Sequence, residues 1–285
     1  MLLRARTFFA LTLAVGLATA PSVHAASDPR AIRKVDFRNF TYGVFDGDGR
    51  TTTLVNGKFE RTDQDNPLYA QVLDVDHGDL DGDGIEEAVV TVVSNTGGTG
   101  NFTDGLVFRM IGGKPVMVAT LGTGDRADGG IDDVVIVNGV LRVERFGDGS
   151  TGACCPNLLE RTTFKLGASK LIAQSKPFVR SFIQLGNEDA PQKISFLKGT
   201  TEAVIDAVGT SKGFFEAAKG QKVTVSVTAP QGGNMTVTIT GPGLKPSTLK
   251  PPTTWTKALP ATGRYTVALS PTNSDPDLRI TLSIK

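Results

Sequence analysis

The chain has 285 residues, of which 39% are hydrophobic and 21% charged, and its formal net charge is +1. This composition is typical of a globular protein and excludes a long disordered chain, which would be more charged and less apolar. The near-neutral charge excludes a protein that binds nucleic acid mainly by neutralising phosphates. His24 and His77 are the only histidines, and two cysteines cannot form a disulfide framework, so chemistry built on several histidines is also excluded.

Residues 1–25 are predicted to be an export signal. Arg4 and Arg6 give a positive start, an apolar run extends from Phe8 to Leu17, and Val23-His24-Ala25 places small residues at the two positions that a signal peptidase reads. The apolar run is far shorter than the ~20 residues that span a bilayer. We therefore expect a protein exported to the periplasm or the extracellular space, without a membrane span.

Charge divides the mature chain into two parts. Residues 26–174 carry 15 basic and 22 acidic side chains, whereas residues 175–285 carry 13 and 7, so their net charges are −7 and +6. We predict an acidic β domain over 26–174, a linker over 175–191 and a basic domain over 192–285. The linker is predicted from residues that interrupt regular structure, namely Pro177, Gly186, Asn187 and Pro191.

The acidic domain is predicted to be an antiparallel β domain with long loops. Asn56-Gly57, Gly112-Gly113 and Asn138-Gly139 each lie between apolar runs, which is the strongest short-range signal of a hairpin. The flanking strands are predicted at Thr51–Val55, Leu106–Ile111, Val116–Leu121, Asp133–Val137 and Val140–Phe146. Ala88–Val93 is apolar on both faces, so we expect it in the centre of its sheet. Helices should be few and short.

The pattern of the basic domain predicts a small β-sandwich, so the whole chain is predicted to be mainly β. Four segments alternate apolar and polar residues, which gives each strand one face for a core and one face for water. Their apolar positions are Val223, Val225 and Val227; Met235, Val237 and Ile239; Tyr265, Val267 and Leu269; and Leu278, Ile280, Leu282 and Ile284. Turns are predicted at Gln231–Asn234 and Gly241–Gly243.

The most specific local feature is the Asp-rich loop, Asp79-Leu80-Asp81-Gly82-Asp83-Gly84-Ile85-Glu86-Glu87. Its side chains Asp79, Asp81 and Asp83, the carbonyl of Ile85 and the carboxylate of Glu87 can wrap one hard cation, and the glycines permit a tight turn. Seven carboxylates lie between positions 74 and 87, and they would repel one another without a cation. The alternative is a solvated Asp-Gly turn.

The Asp-rich loop and the apolar run after it resemble the calcium loops of FG-GAP (integrin-α-type) repeats, which implies calcium as the ligand. Those repeats usually end the loop with Asp, whereas this chain has Glu87. The longer stretch from Val35 to Leu171 is similar to an exported bacterial domain of unknown function. The residues that carry this second resemblance are Val35–Phe40, Gly78–Leu80, Asn95–Gly100, Gly124–Arg126 and Cys154–Pro156.

Cys154 and Cys155 are adjacent in the sequence, and the state of the pair stays open. An intrachain disulfide would be a vicinal one with a small strained ring; two buried thiols or an intermolecular bridge are the alternatives in an oxidising compartment. A nucleophilic cysteine would need a base, and His77 is the only histidine of the mature chain. Gly97–Gly100 is not followed by a helix start, so we interpret it as a turn and not as a phosphate loop.

Three segments of the basic domain carry a further resemblance: Ile194–Thr200, Ala218–Val223 and Leu259–Tyr265. They resemble the bacterial pre-peptidase C-terminal domain and the periplasmic inhibitors of g-type lysozyme, which implies a β-sandwich that binds another surface without catalysis. Thr262, Gly263, Arg264 and Tyr265 form the candidate binding loop. Tyr265 shares a strand face with core positions, which favours burial. Trp255, the only tryptophan, is predicted either to contact a partner or to cover the core.

These features predict an exported, calcium-stabilised, non-catalytic binding protein of the bacterial envelope, whose basic domain binds a protein or an anionic polymer. One alternative is a periplasmic inhibitor of a wall-cleaving lysozyme; charge argues mildly against it, because lysozymes are commonly basic too. A second alternative is a hydrolase that uses carboxylates or the cysteine pair. No nucleic-acid partner is expected.

Overall fold

A computed structural model of the chain describes residues 28–43, 51–63, 65, 67–127, 129–147, 156–185, 190–207, 209–229, 235–270 and 278–285. The predicted export signal, the pair Cys154–Cys155 and the predicted turn Gln231–Asn234 lie outside these residues. Within them the protein is mainly β, as predicted, and the single helical segment is a 3-10 turn at Ala31–Lys34. In this part of the chain no helix is both long and apolar enough to cross a membrane.

The described residues form strands that pair into four sheets. In chain order they are β1 (Thr41–Tyr42), β2 (Thr52–Thr53), β3 (Lys58–Arg61), β4 (Leu68–Gly78), β5 (Glu87–Asn95), β6 (Phe102–Ile111), β7 (Lys114–Gly124), β8 (Ile131–Val137), β9 (Val140–Phe146), β10 (Leu158–Leu166), β11 (Leu171–Ala173), β12 (Phe178–Gln184), β13 (Gln192–Lys193), β14 (Glu202–Ala207), β15 (Ser211–Ala217), β16 (Lys222–Thr228), β17 (Thr236–Gly241), β18 (Leu244–Leu249), β19 (Thr253–Ala258), β20 (Gly263–Ser270) and β21 (Leu278–Ile284).

An antiparallel sheet in the order β3-β4-β5-β6-β7 carries the Asp-rich loop. Its central strand is β5, as the apolar run predicted. Ala88, Val90 and Val92 face a core that also contains residues of the N-terminal segment, such as Ile32. Val89 faces a second core, shared with β8, β9 and β10. A strand buried on both faces needs apolar residues at successive positions, which explains the unbroken run.

The three hairpin turns of the acidic part are confirmed. Both turn residues have positive φ in each case: 52° and 80° at Asn56-Gly57, 57° and 77° at Gly112-Gly113, and 52° and 72° at Asn138-Gly139. Two successive positive φ values define a type I′ turn, whose twist matches that of the strands it joins. The observed strands β6 and β7 extend beyond the predicted ones, and β9 has the predicted bounds.

The C-terminal part is a β-sandwich, as its alternation predicted. The sheet β13-β15-β20-β17-β18 packs against β14, β21, β16 and β19 of a second sheet. The predicted inward positions that are buried in the shared core are Val223, Val225, Val227, Met235, Val237, Ile239, Tyr265, Val267, Leu269, Ile280 and Leu282. Trp255 is half-buried against this core, so it covers the core edge.

The segment predicted as a linker contains strand β12. This strand pairs antiparallel with β10 and parallel with β14. It thereby joins both parts of the chain in one nine-stranded sheet, in the order β19-β16-β21-β14-β12-β10-β9-β8 with β11 beside β10. The structure differs from the linker prediction over Phe178–Gln184 because aromatic and β-branched residues there favour a strand. The division into two domains stays a prediction.

A buried group of charged side chains, called here the ion cluster, lies on one face of the nine-stranded sheet. Its members are Asp132, Glu144, Arg161, Arg180, Glu202 and Arg279. Glu144 forms ion pairs with Arg161, Arg180 and Arg279. Its Oε1 lies 2.8 Å from Arg161 Nε. The Glu144 side chain is only 2% exposed and that of Arg180 only 1%. Three arginines balance three carboxylates, as buried charges require.

The ion cluster shows that the nine-stranded sheet curls. Arg279 on β21 contacts Glu144 on β9, and the strands β14, β12 and β10 lie between them in the sheet. With neighbouring strands about 4.8 Å apart, a flat sheet would separate β21 and β9 by about 19 Å, which an arginine side chain does not bridge. The sheet therefore curves around the cluster, which joins side chains from the acidic and the basic parts of the chain.

Candidate functional site

The Asp-rich loop joins β4 to β5, and its own backbone holds its conformation. The two carboxylate oxygens of Asp79 accept the N–H groups of Gly82 at 2.7 Å and Gly84 at 2.9 Å. Asp83 Oδ1 accepts the N–H of Ile85 at 2.7 Å. Gly82 and Gly84 have φ of 83° and 84°, a conformation that glycine adopts without strain. The glycines therefore permit the tight turn, as predicted.

Three of the four predicted carboxylate ligands come together in the Asp-rich loop. One oxygen each from Asp79, Asp81 and Glu87 lies within 4.8 Å of the others. Asp83 is not part of this group of three. The loop thus gathers a smaller set of oxygens than its sequence predicted.

Arg109, which the sequence analysis did not single out, contacts this group from strand β6. Its Nε donates to Glu87 Oε1 at 2.9 Å, and its Nη2 pairs with Asp81 Oδ2. The other oxygen of Glu87 accepts the N–H of Leu80 at 2.8 Å. Arg109 therefore places a positive charge beside two of the three carboxylates, which opposes the binding of a second cation there. Calcium binding stays a prediction.

Arginine side chains offset the repulsion that the sequence analysis predicts among the closely spaced carboxylates. Burial raises the pKa of Glu87, while the Leu80 N–H and Arg109 oppose the rise. Glu86, which directly precedes Glu87, pairs with Arg33, and this hydrogen bond lowers the pKa of Glu86. No local pattern could have revealed Arg109, since it lies 22 residues from Glu87 and reaches it only through strand pairing.

His77, on β4, is the histidine that a cysteine nucleophile would need. Burial lowers the pKa of His77, and the charge of Arg33 lowers it further. Cys154 and Cys155 lie outside the described residues. The state of the pair, whether a vicinal disulfide, two thiols or an intermolecular bridge, therefore stays open.

The candidate binding loop Thr262–Tyr265 contains residues of two kinds. Tyr265 is fully buried, its ring stacks on Phe215 with centroids 5.6 Å apart, and its hydroxyl donates to the carbonyl of Ala261 at 2.6 Å. Thr262 Oγ1 accepts the N–H of Lys219 at 2.9 Å. Tyr265 therefore belongs to the core, as its strand face predicted, and these bonds hold the turn in place.

Arg264 projects from the face of strand β20 opposite to that of Tyr265, and its side chain is 63% exposed. Its Nε donates to Glu216 Oε1 at 3.1 Å, and its guanidinium lies 4.1 Å from the centroid of the Phe214 ring. Lys212 shares a strand face with Phe214, and Lys193 is the register partner of Phe214 on β13. We call these five residues, Lys193, Lys212, Phe214, Glu216 and Arg264, the Arg264 face.

A cleft borders the Arg264 face. Lys193 and Glu216 line it on the side of the face, and Ser195, Phe196 and Gln221 are among its other lining residues. Arginine and aromatic residues are enriched at the centres of protein interfaces, where side chains fill pockets of the partner. The face and the cleft together can therefore accept a protein surface.

Comparisons with known proteins find no matching family model and no matching curated protein. Solved structures that are similar in part include PliG, a periplasmic lysozyme inhibitor of g-type lysozyme, from Salmonella Typhimurium, from Aeromonas hydrophila and, as a mutant, from Escherichia coli. Their identities are 24%, 19% and 20%, and they cover 35%, 36% and 36% of this chain and 99%, 97% and 98% of their own. The TM-scores are 0.27, 0.28 and 0.27.

Proposed function

We propose that this chain is an exported, non-catalytic binding protein of the bacterial envelope that docks a protein partner through the Arg264 face. The observation that carries the proposal is the exposed guanidinium of Arg264, stacked on Phe214 and paired with Glu216. Arginine and aromatic side chains supply most of the energy at protein interfaces. Export is supported by the signal pattern of residues 1–25.

Contacts within the protein hold part of the Arg264 face in place. Beneath Arg264, Tyr265 is fixed by stacking on Phe215 and by its hydrogen bond to Ala261. Above it, the ion pair with Glu216 restricts the arginine side chain. Association loses free energy when flexible side chains are ordered, so a surface that is already ordered binds more tightly for the same contacts. This pre-organisation favours a docking surface over an incidental exposed arginine.

The partner proposed first is a g-type lysozyme. The segment Leu259–Tyr265, which carries the sequence resemblance to inhibitors of that enzyme, builds the turn that presents Arg264. The Arg264 face has three basic side chains and one acidic one. Complementary charge steers association, so the face favours an acidic patch on the lysozyme. The proposal therefore requires such a patch, because a wholly basic lysozyme surface would be repelled by this basic domain.

An anionic envelope polymer is the second candidate partner. It is favoured by a set of exposed lysines spread over the C-terminal part of the chain, namely Lys193, Lys198, Lys219, Lys222, Lys245, Lys250, Lys257 and Lys285. Attraction of this kind depends on the total charge and weakens as salt shortens the screening length to roughly 8 Å at physiological strength. It does not depend on any one residue.

The experiment that tests the proposal measures cleavage of purified peptidoglycan by a g-type lysozyme in the presence of the mature chain. We expect the wild-type chain to slow cleavage, and Arg264→Glu to remove the effect. Lys245→Glu, on strand β18 and outside the face, is the matched charge control and should inhibit like the wild type. Cleavage that stays unchanged at excess wild-type chain would contradict the lysozyme proposal. A second assay measures binding of the same variants to an anionic polymer. An equal loss of polymer binding in Arg264→Glu and Lys245→Glu would favour the polymer as the partner.

A further inference from the structure

The Asp-rich loop has a counter-ion of its own. We infer that the guanidinium of Arg109 occupies the place of the cation that the loop sequence predicts, so that the loop is closed by an arginine and needs no metal. This inference is independent of the proposed docking through the Arg264 face. It follows from the contacts, the burial and the hydrogen bonds of four residues.

The contacts place Arg109 where a cation would have to bind. Its Nε and Nη2 reach Glu87 and Asp81, which are two of the three carboxylates that lie together in the loop. Strand pairing sets this geometry: Ala88 is opposite Phe108 in the β5–β6 ladder, so Arg109 stands beside the position where the loop enters β5. A cation bound between these carboxylates would lie within a few ångströms of the guanidinium, and the two positive charges would repel each other.

Burial makes the counter-ion necessary. The Glu87 side chain is completely buried, and a buried carboxylate without a partner is strongly unfavourable. Its two oxygens are used by Arg109 and by the N–H of Leu80. A cation bound to Glu87 would lie beside the guanidinium of Arg109, whose side chain is itself only 21% exposed. Repulsion between two positive charges is strong where water has little access.

The remaining carboxylates are satisfied inside the loop. Asp79 accepts the N–H groups of Gly82 and Gly84, and Asp83 accepts that of Ile85. In these bonds the carboxylates organise the backbone turn. The Asp and Gly residues that predict a calcium loop from sequence thus also build the backbone of this turn.

The test is thermal unfolding of the mature wild-type chain in millimolar calcium and in EDTA, together with a calorimetric calcium titration. We expect equal melting temperatures and no heat of binding. A melting temperature raised by calcium in the wild type would overturn the inference, because selective binding to the folded state must stabilise it. This comparison decides without any variant.

Two variants sharpen the test. Arg109→Met removes the guanidinium, so in EDTA its melting temperature should fall, and calcium should restore part of the loss through Asp79, Asp81 and Glu87. Arg33→Met removes the neighbouring arginine, which pairs with Glu86 instead, and should show no calcium effect. Arg109→Met with the stability of the wild type in EDTA would count against the inference. Failure of Arg109→Met to fold without calcium would support it.

Discussion

Arg279 and Glu144 form an ion pair across three intervening strands of one sheet, and the Glu144 side chain is almost completely buried. The pair connects the last strand of the basic part, β21, to β9 of the acidic part. Arg279 also pairs with Asp132 at 2.6 Å. These pairs therefore join an arginine of the basic part to carboxylates of the acidic part inside the molecule.

Removal of the Glu144 charge should destabilise the whole fold. In Glu144→Gln, the buried Arg180 and the partly buried Arg161 and Arg279 face two carboxylates, and breaking a buried ion pair from one side costs about 3–5 kcal/mol. Glu216→Gln, in an exposed pair, is the control and should cost at most about 1 kcal/mol. Urea unfolding followed by circular dichroism measures both free energies. Equal free energies of unfolding for the two variants would contradict the structural role of the ion cluster.

The effect of Glu144 should depend on pH. Burial by itself would raise the pKa of Glu144, but Arg279, Arg180 and Arg161 outweigh it, and the pKa lies below its ordinary value of 4.5. A carboxylate with a lowered pKa in the folded state stabilises the protein above the unfolded pKa and loses this contribution as the pH falls through the folded pKa. The stability difference between the wild type and Glu144→Gln should therefore be full above pH 4.5 and shrink below it. A difference that grows on acidification would contradict this assignment.

Trp255 allows the two parts of the chain to be followed separately. It is the only tryptophan, and it lies on β19, which is at the opposite end of the strand order from β8 and β9. If the sheet couples both parts, Trp255 fluorescence and circular dichroism should show one shared unfolding transition, and Glu144→Gln should shift both signals equally. A Trp255 transition that Glu144→Gln leaves in place would show that the two parts unfold independently, as the predicted domain division implies.

Local sequence patterns predicted the local structure well. The Asn-Gly and Gly-Gly turns, the central position of Ala88–Val93 and the burial of Tyr265 follow from backbone conformation and from alternation, which neighbouring residues determine. The sequence analysis does not predict strand β12, because Pro177 and nearby turn residues indicate a break in regular structure just beside the run Phe178–Ile183. That run, rich in strand-forming residues, is the signal that could have revealed the strand.

The long-range contacts could not be predicted in the same way. Arg109 reaches Glu87, and Arg279 reaches Glu144, only because strand order brings distant segments together. Nothing in the spacing of these residues indicates that order. The carboxylates of the Asp-rich loop consequently predict a cation, whereas the positive charge that pairs with two of them belongs to Arg109 on a later strand, β6.

The turn below the Arg264 face can be tested without changing its surface. Gly241 lies against Tyr265, and a Cβ there would be 2.1 Å from the ring, so Gly241→Ala forces the ring to move. Overpacking of this kind costs about 1–3 kcal/mol. Gly98→Ala is the control, because a Cβ at Gly98 meets no atom within 4 Å. Thermal unfolding should show a lower melting temperature for Gly241→Ala alone, and equal values for both variants would contradict the packing described for Tyr265.

The central claim, that a protein partner docks on the Arg264 face, is tested most directly by the affinity of the mature chain for a g-type lysozyme. Arg264→Ala and Phe214→Ala should each weaken binding by at least about tenfold, which corresponds to roughly 1.4 kcal/mol. Lys245→Ala, which removes one positive charge outside the face, should leave the dissociation constant within about twofold of the wild type. Equal dissociation constants for Arg264→Ala, Phe214→Ala and the wild type would contradict the claim.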